Sequence, residues 1–292
     1  PGEKPIAPPA VRQRARDLGI ELQYVHGSGP AGRITHADLD AHVEGKGRAP
    51  AGAATTLAPR TAIEEIKVIG LRRKIAEAMQ RAKQRIPHFA YVEECDVTEL
   101  EALRVHLNDT RKPDQPKLSL LPFLIKALVR TLPQFPQCNA QYDDEAGIVR
   151  RHAALHCGIA TATPNGLIVP VIRHAETMDV WQLASEIRRL ADAARSGKAS
   201  REELSGSTIT LTSLGALGGI ASTPIINAPE VAIVGVNKMV LRPMYVNGQL
   251  VPRQMMNLSS SFDHRIVDGY DAASFIQAIK GLLEHPAALF ME

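Results

Sequence analysis

Cysteine is scarce in this 292-residue chain: Cys95, Cys138 and Cys157 lie far apart and form no C-x-x-C pair. An odd, sparse set argues against a disulfide framework or a zinc site and fits a reducing compartment, so no metal is expected. Long hydrophobic runs are missing too. The longest apolar stretch, LSLLPFLIKALV, contains a proline and Lys126 and is too short to span a bilayer. An excess of one charge is lacking as well, since 34 basic and 31 acidic residues leave a net charge of only +3. That balance gives no footing for nucleic acid or a membrane surface as partner. There is no internal repeat. The opening PGEKPIAPPA has neither a methionine start nor the basic-then-apolar order of a signal peptide. Residues 1–7 read as linker, so the chain is expected to begin partway through a longer polypeptide.

What is present suffices for one large domain and a small one, with an ordinary 45% of hydrophobic residues. A small unit is predicted over residues 8–43. Proline suits the first turn of a helix running through VRQRARDLGI, with Gly19 as its stop. A glycine-rich loop, VHGSGPAGRI, leads to THADLDAHV, where Thr35 is the expected N-cap. Such a unit is near the lower limit for independent stability. Residues 44–61 read as a second linker, because ten of the seventeen residues from 44 to 60 are Ala, Pro or Gly. Its reach is roughly 20–25 Å if flexible and about 50 Å if extended by its prolines, which suits a docking module tied to a larger body.

Residues 62–292 carry mixed patterns. Helices are predicted at 71–85, 98–108, 119–132, 179–195 and 269–284. Strands are predicted at 88–97, 155–160, 167–172, 207–213, 230–236 and 254–262. The expected class is α/β or α+β with a largely buried sheet.

Several motifs invite chemistry. GSGPAG, residues 27–32, matches G-x-G-x-x-G but lacks room for a βαβ unit, so its glycines are expected to serve a tight loop with positive φ. Arg12 and Arg16 share a helix face, with Arg33 leaving the loop nearby, and this basic stripe could steer an acidic protein partner. His156 and Cys157 are adjacent on a strand, point to opposite faces and cannot form a dyad. The sharpest motif is SFDHRIVDGY, residues 261–270, a charged knot between a strand and a helix. A neutral His264 there can remove a proton near pH 7, and Asp268 could fix the loop that sets its imidazole. Thr212 and Ser213, in STITLTSLGALGG, carry hydroxyls that could donate to an oxyanion.

DHRIVDG resembles the D-H-R-x-x-D-G signature of the acyltransferases (E2) of 2-oxoacid dehydrogenase complexes. STITLTSLGALGG, STPIINAPEVAIVGV and NGLIVPVI are similar to other blocks of that family. VRQRARDLGIELQYVHGSGPAGRITHADLDAHV resembles its peripheral subunit-binding domain. The likeness covers nearly the whole chain, and HFAYVEECDVTELEALR with KLSLLPFLIKALV are most similar to bacterial branched-chain members.

The resemblance implies a chloramphenicol-acetyltransferase-like two-layer domain with a mixed sheet. It implies homotrimers with sites between subunits, assembled into a cubic or dodecahedral core. The implied reaction moves an acyl group, branched-chain by preference, from S-acyl-dihydrolipoamide to coenzyme A. His264 would be the base and Thr212, on a neighbouring subunit, the oxyanion donor. Asp268 would hold the loop, and Arg104, Ser119 and Ser213 would contact coenzyme A. Arg12, Arg16 and Arg33 would bind the dehydrogenase (E1) or dihydrolipoamide dehydrogenase (E3). The implied location is the bacterial cytoplasm, or the mitochondrial matrix in a eukaryote. No Asp-Lys pair occurs, so the lipoyl domain that bears the lipoamide cofactor is expected outside this chain. Acetyl or succinyl transfer remains open. So do two rivals, a catalytically silent scaffold, which would lack the histidine, and a free-standing acetyltransferase, which would lack residues 8–60.

Overall fold

The computed structural model describes residues 5–45 and 60–291. Positions 46–59 of the expected 44–61 linker, and 1–4 of the expected 1–7 linker, lie outside the described residues. Two compact units are present, Pro1–Ile66 and Lys67–Glu292.

In the first unit, α1 (Pro9–Asp17) and α2 (His36–Val43) flank two single 3-10 turns. Val11, Ala15, Val25, Ile34 and Leu39 form its core. Thr35 caps α2 in a reciprocal box with Asp38, whose carboxylate also accepts the Ser28 N–H at 3.0 Å. Hydrogen bonds from Ser28 and Thr35 hold this carboxyl well below the usual carboxylate range. The glycine loop differs from expectation in one respect. Of its three glycines only Gly32 has positive φ (72°), and Ala31 takes a second such position at 56°. Gly27 and Gly29 are needed for close backbone approach, since a Cβ on either would collide with the carbonyls of Gly32 or Arg33.

The second unit runs α3 (Gly70–Arg85), β1 (His88–Asp96), α4 (Thr98–Asp109), α5 (Leu121–Thr131), β2 (Ala140–Asp143), β3 (Ile148–Arg151), β4 (Cys157–Ile159), β5 (Thr161–Thr163), β6 (Gly166–Ile168), β7 (Val171–Ile172), α6 (Val180–Arg195), β8 (Ile209–Ser213), β9 (Ala232–Val236), β10 (Val240–Val246), β11 (Gln249–Asp263) and α7 (Gly269–Glu284). The main sheet has the order β1-β11-β9-β8-β4-β7, with β10 also on β11. β8 lies parallel to β4 and β9, and the other pairings are antiparallel, so the sheet is mixed. Alternation along β9 shows its two faces. Ala232, Val234 and Val236 join the core with Phe123 of α5, Leu183 of α6 and Phe275 of α7. Ile233 points the other way, onto Ala82 and Ile86 at the end of α3 and onto Ile226.

The helices fall close to their predicted spans. Besides the three-residue pair β5–β6, two hairpins went unpredicted. The first, β2–β3, is short and half-exposed, so it carries little alternation. The second, β10–β11, turns at Asn247–Gly248, both with positive φ (52° and 79°). Asn-Gly between strand-forming runs is a hairpin signal that was legible and went unused.

Candidate active site

β11 delivers the knot. Two of its buried serines are hydrogen-bonded, Ser260 Oγ donating to Tyr91 O (2.7 Å) and Ser259 Oγ to Asn237 Oδ1 (2.7 Å). The strand therefore reaches Asp263 rigid, and one residue later His264 stands exposed before α7 begins. The Asp263 carbonyl accepts the N–H groups of Ile266 and Val267, each at 3.0 Å. Its carboxylate, 1% exposed, accepts Nη2 (2.7 Å) and Nε (2.9 Å) of Arg265. Arg265 Nη1 reaches on to Asp144 Oδ1 in the β2–β3 turn at 2.6 Å, and its guanidinium lies 4.7 Å over the Tyr142 ring. On the other side Pro87 O accepts the His264 N–H (3.2 Å), and the Phe89 ring lies 4.3 Å from the imidazole, centre to centre.

Asp268 was expected to hold this loop. It occupies the N-cap position of α7, but its exposed carboxylate makes no capping hydrogen bond. Within the chain Asp263 and Arg265 do the holding, and sequence reasoning missed both. The cue was the place of residue 263 at the end of a strand buried at every position from Leu258 onward, where a carboxylate demands a cation beside it.

The structure does not bring Thr212 to His264. Thr212 lies beside Gly235, and Gly235 beside Ser259, five residues before His264. Two strand spacings across and five residues along put the two groups about 20 Å apart in one chain. A shared tetrahedral centre needs both within about 3 Å of it. The Thr212 hydroxyl makes no hydrogen bond among the described residues. Arg104 and Ser119 are brought together. Arg104 Nη1 donates to Leu118 O at 3.0 Å, which leaves Ser119 exposed next door, and Glu101 clamps the guanidinium from the other side at 2.6 Å. Ser213 is separate, its Oγ accepting the Gly215 N–H at 3.1 Å.

In the first unit Arg12, Arg16 and Arg33 are all exposed. Arg12 spends donors on its own chain, on Pro5 O and Ala7 O (2.6 and 3.0 Å). Arg16 and Arg33 side chains make no hydrogen bond or ion pair among the described residues. A buried carboxyl also escaped prediction: Glu230, 1% exposed, accepts from Ser207, Thr210 and Asn227, and desolvation raises its pKa to about 7. Among the described residues no group of three His, Cys, Asp or Glu side chains could hold a metal ion. No helix there is long and apolar enough to cross a membrane.

Fold and site define a mixed α/β enzyme domain that presents a histidine on a strand-to-helix loop, in a chain that also holds a small helical unit. The chain belongs to the 2-oxoacid dehydrogenase acyltransferase family: the profile of its catalytic domain matches residues 60–291, and that of the E3 binding domain matches residues 5–40. It is 66% identical, over its whole length and 69% of the relative's, to the lipoamide acyltransferase component of the branched-chain alpha-keto acid dehydrogenase complex of Pseudomonas aeruginosa. The acetyltransferase component of the Staphylococcus epidermidis pyruvate dehydrogenase complex is 36% identical over 98% of this chain and 70% of its own. Among solved structures, the dihydrolipoamide acetyltransferase of Azotobacter vinelandii superposes with a TM-score of 0.76 at 36% identity, covering 80% of this chain and 99% of that one. The cubic core of a pyruvate dehydrogenase multienzyme complex gives 0.76 at 37%, with the same coverage.

Proposed function

We propose that this chain transfers an acyl group, branched-chain by preference, from S-acyl-dihydrolipoamide to coenzyme A at the core of a 2-oxoacid dehydrogenase complex. The observation that carries the reading is the 66% identity, without a gap in coverage, to a branched-chain acyltransferase, against 36% to the acetyl-transferring relative. His264 takes the proton of the coenzyme A thiol, which is mostly protonated near neutral pH at its ordinary pKa of about 8.5. The thiolate attacks the thioester carbonyl. The Thr212 hydroxyl of a neighbouring subunit stabilises the oxyanion, collapse expels the dihydrolipoamide thiolate, and the imidazolium returns the proton to it. The separation of Thr212 from His264 in one chain favours sites built between subunits, hence homotrimers assembling into a cubic or dodecahedral core. Asp268, whose side chain makes no capping hydrogen bond to α7, holds the catalytic loop through a partner across that junction. Arg104, Ser119 and Ser213 contact coenzyme A.

Residues 8–43 act as the subunit-binding domain for E1 or E3, residues 44–61 as its tether and 62–292 as the catalytic domain. The lipoyl group is supplied by a lipoyl domain outside these residues. The bacterial relatives favour a cytoplasmic location.

The test has two arms. Isobutyryl-dihydrolipoamide should outpace acetyl- and succinyl-dihydrolipoamide in kcat/KM; a preference for either of the others overturns the branched-chain assignment. His264→Ala should lower kcat by about 10²–10⁴-fold and Thr212→Ala by roughly 10²–10³-fold. Co-expressing the two variants rebuilds intact junctions and should restore up to about a quarter of wild-type activity. Failure to restore any activity would place both groups in one subunit.

A further inference from the structure

We infer that His88 is a positioning residue for His264, and the inference rests on the reading of His264 as the base. The tautomer of His88 follows from its partners. The Ile226 N–H donates to Nε2 at 3.0 Å, so that nitrogen carries a lone pair. Nδ1 then bears the proton and donates to Ile86 O at 2.9 Å. Both ring nitrogens are engaged, so the imidazole is fixed in rotation as well as in place. It ties the end of α3 to the segment preceding β9, and both anchors are buried, Ile86 at 7% and Ile226 at 0% exposure.

The residues on either side of His88 are the ones that touch His264. Pro87 supplies the carbonyl that accepts the His264 N–H (3.2 Å), and Phe89 supplies the ring 4.3 Å from its imidazole. His88 itself lies opposite Asp263 in the ladder. β1 is the end strand of the main sheet and, among the described residues, has β11 as its one strand neighbour. The first residues of an edge strand held on one side open easily. The His88 side chain supplies the second attachment, and so sets where the Pro87 carbonyl and the Phe89 ring meet the base.

The experiment uses the assembled full chain with isobutyryl-dihydrolipoamide and coenzyme A. His88→Ala should lower kcat by about 10–10²-fold, the cost of a base displaced by a fraction of an ångström to about 1 Å, while both KM values move less than about twofold. His88→Gln keeps an acceptor for Ile226 and should stay within about threefold of wild type. In the His264→Ala background, His88→Ala should cost nothing further, because the group it positions is gone. An equal loss in both backgrounds, an unchanged kcat, or a rise in KM with kcat intact would overturn the inference. Should His88→Ala fail to assemble, His88→Asn, which keeps a donor for Ile86 and loses the acceptor for Ile226, carries the same comparison. Near-normal turnover by His264→Ala alone would instead remove the base assignment, and the inference with it.

Discussion

Replacing Arg265 by methionine isolates the ion pair under the catalytic loop. Asp263 is 1% exposed and takes two short bonds from the guanidinium. After Arg265→Met, the carboxylate keeps, among the described residues, only the backbone N–H of residue 265, at 3.1 Å. Stranding a buried charge in this way costs about 3–5 kcal/mol. Because the arginine side chain is itself 28% exposed, the lower end, about 3 kcal/mol, is the better figure. The second pair, to Asp144 at 36% exposure, adds less than about 1 kcal/mol. For a body of this size, about 3 kcal/mol corresponds to a Tm lower by about 6–12 °C. The chain's single tryptophan, Trp181, packs half-buried against the same core and reports unfolding in urea without a label. Asp263→Asn combined with Arg265→Met removes the stranded charge and should recover at least half of the loss. The reasoning fails if Arg265→Met shifts Tm by less than about 2 °C, or if the double variant is no more stable than the single one.

Glu230 predicts a pH dependence. Burial raises its pKa from 4.5 to about 7, so the folded state holds a proton that the unfolded state has released. The stabilisation is fully present below about pH 4.5 and is lost as the pH rises to about 7, a decline of about 3 kcal/mol. Glu230→Gln should flatten that part of the urea-midpoint profile; an unchanged slope would assign it to other groups. Docking predicts a split among the arginines. Arg16→Ala with Arg33→Ala should weaken capture of E1 or E3 in a salt-dependent way and leave acyl transfer intact, whereas Arg12→Ala, whose guanidinium serves Pro5 and Ala7, should weaken it less. Equal affinities for all variants in calorimetric titrations would reduce the basic face to a solvated surface.

Much of this protein is determined locally and could be read in its sequence. Spacings of three and four residues placed the five helices of the larger unit, and Thr35 announced its helix because a cap acts over three positions. The charged run after an apolar strand singled out His264, since three polar groups beside a buried strand need a reason. Tertiary structure decided what no local pattern encodes. Asp144 and Arg265 are 121 positions apart, and His88 and Ile226 are 138 apart; strand register, not sequence spacing, makes them neighbours. The same register sets Thr212, on β8, far from His264, just beyond the end of β11, within one chain. Arg12 looked as available as Arg16 until backbone carbonyls claimed it. Hydrophobic periodicity carries the elements because it repeats every few residues. The partners of a buried charge or a ring nitrogen are single choices made across the fold, and they exist only once the sheet has formed.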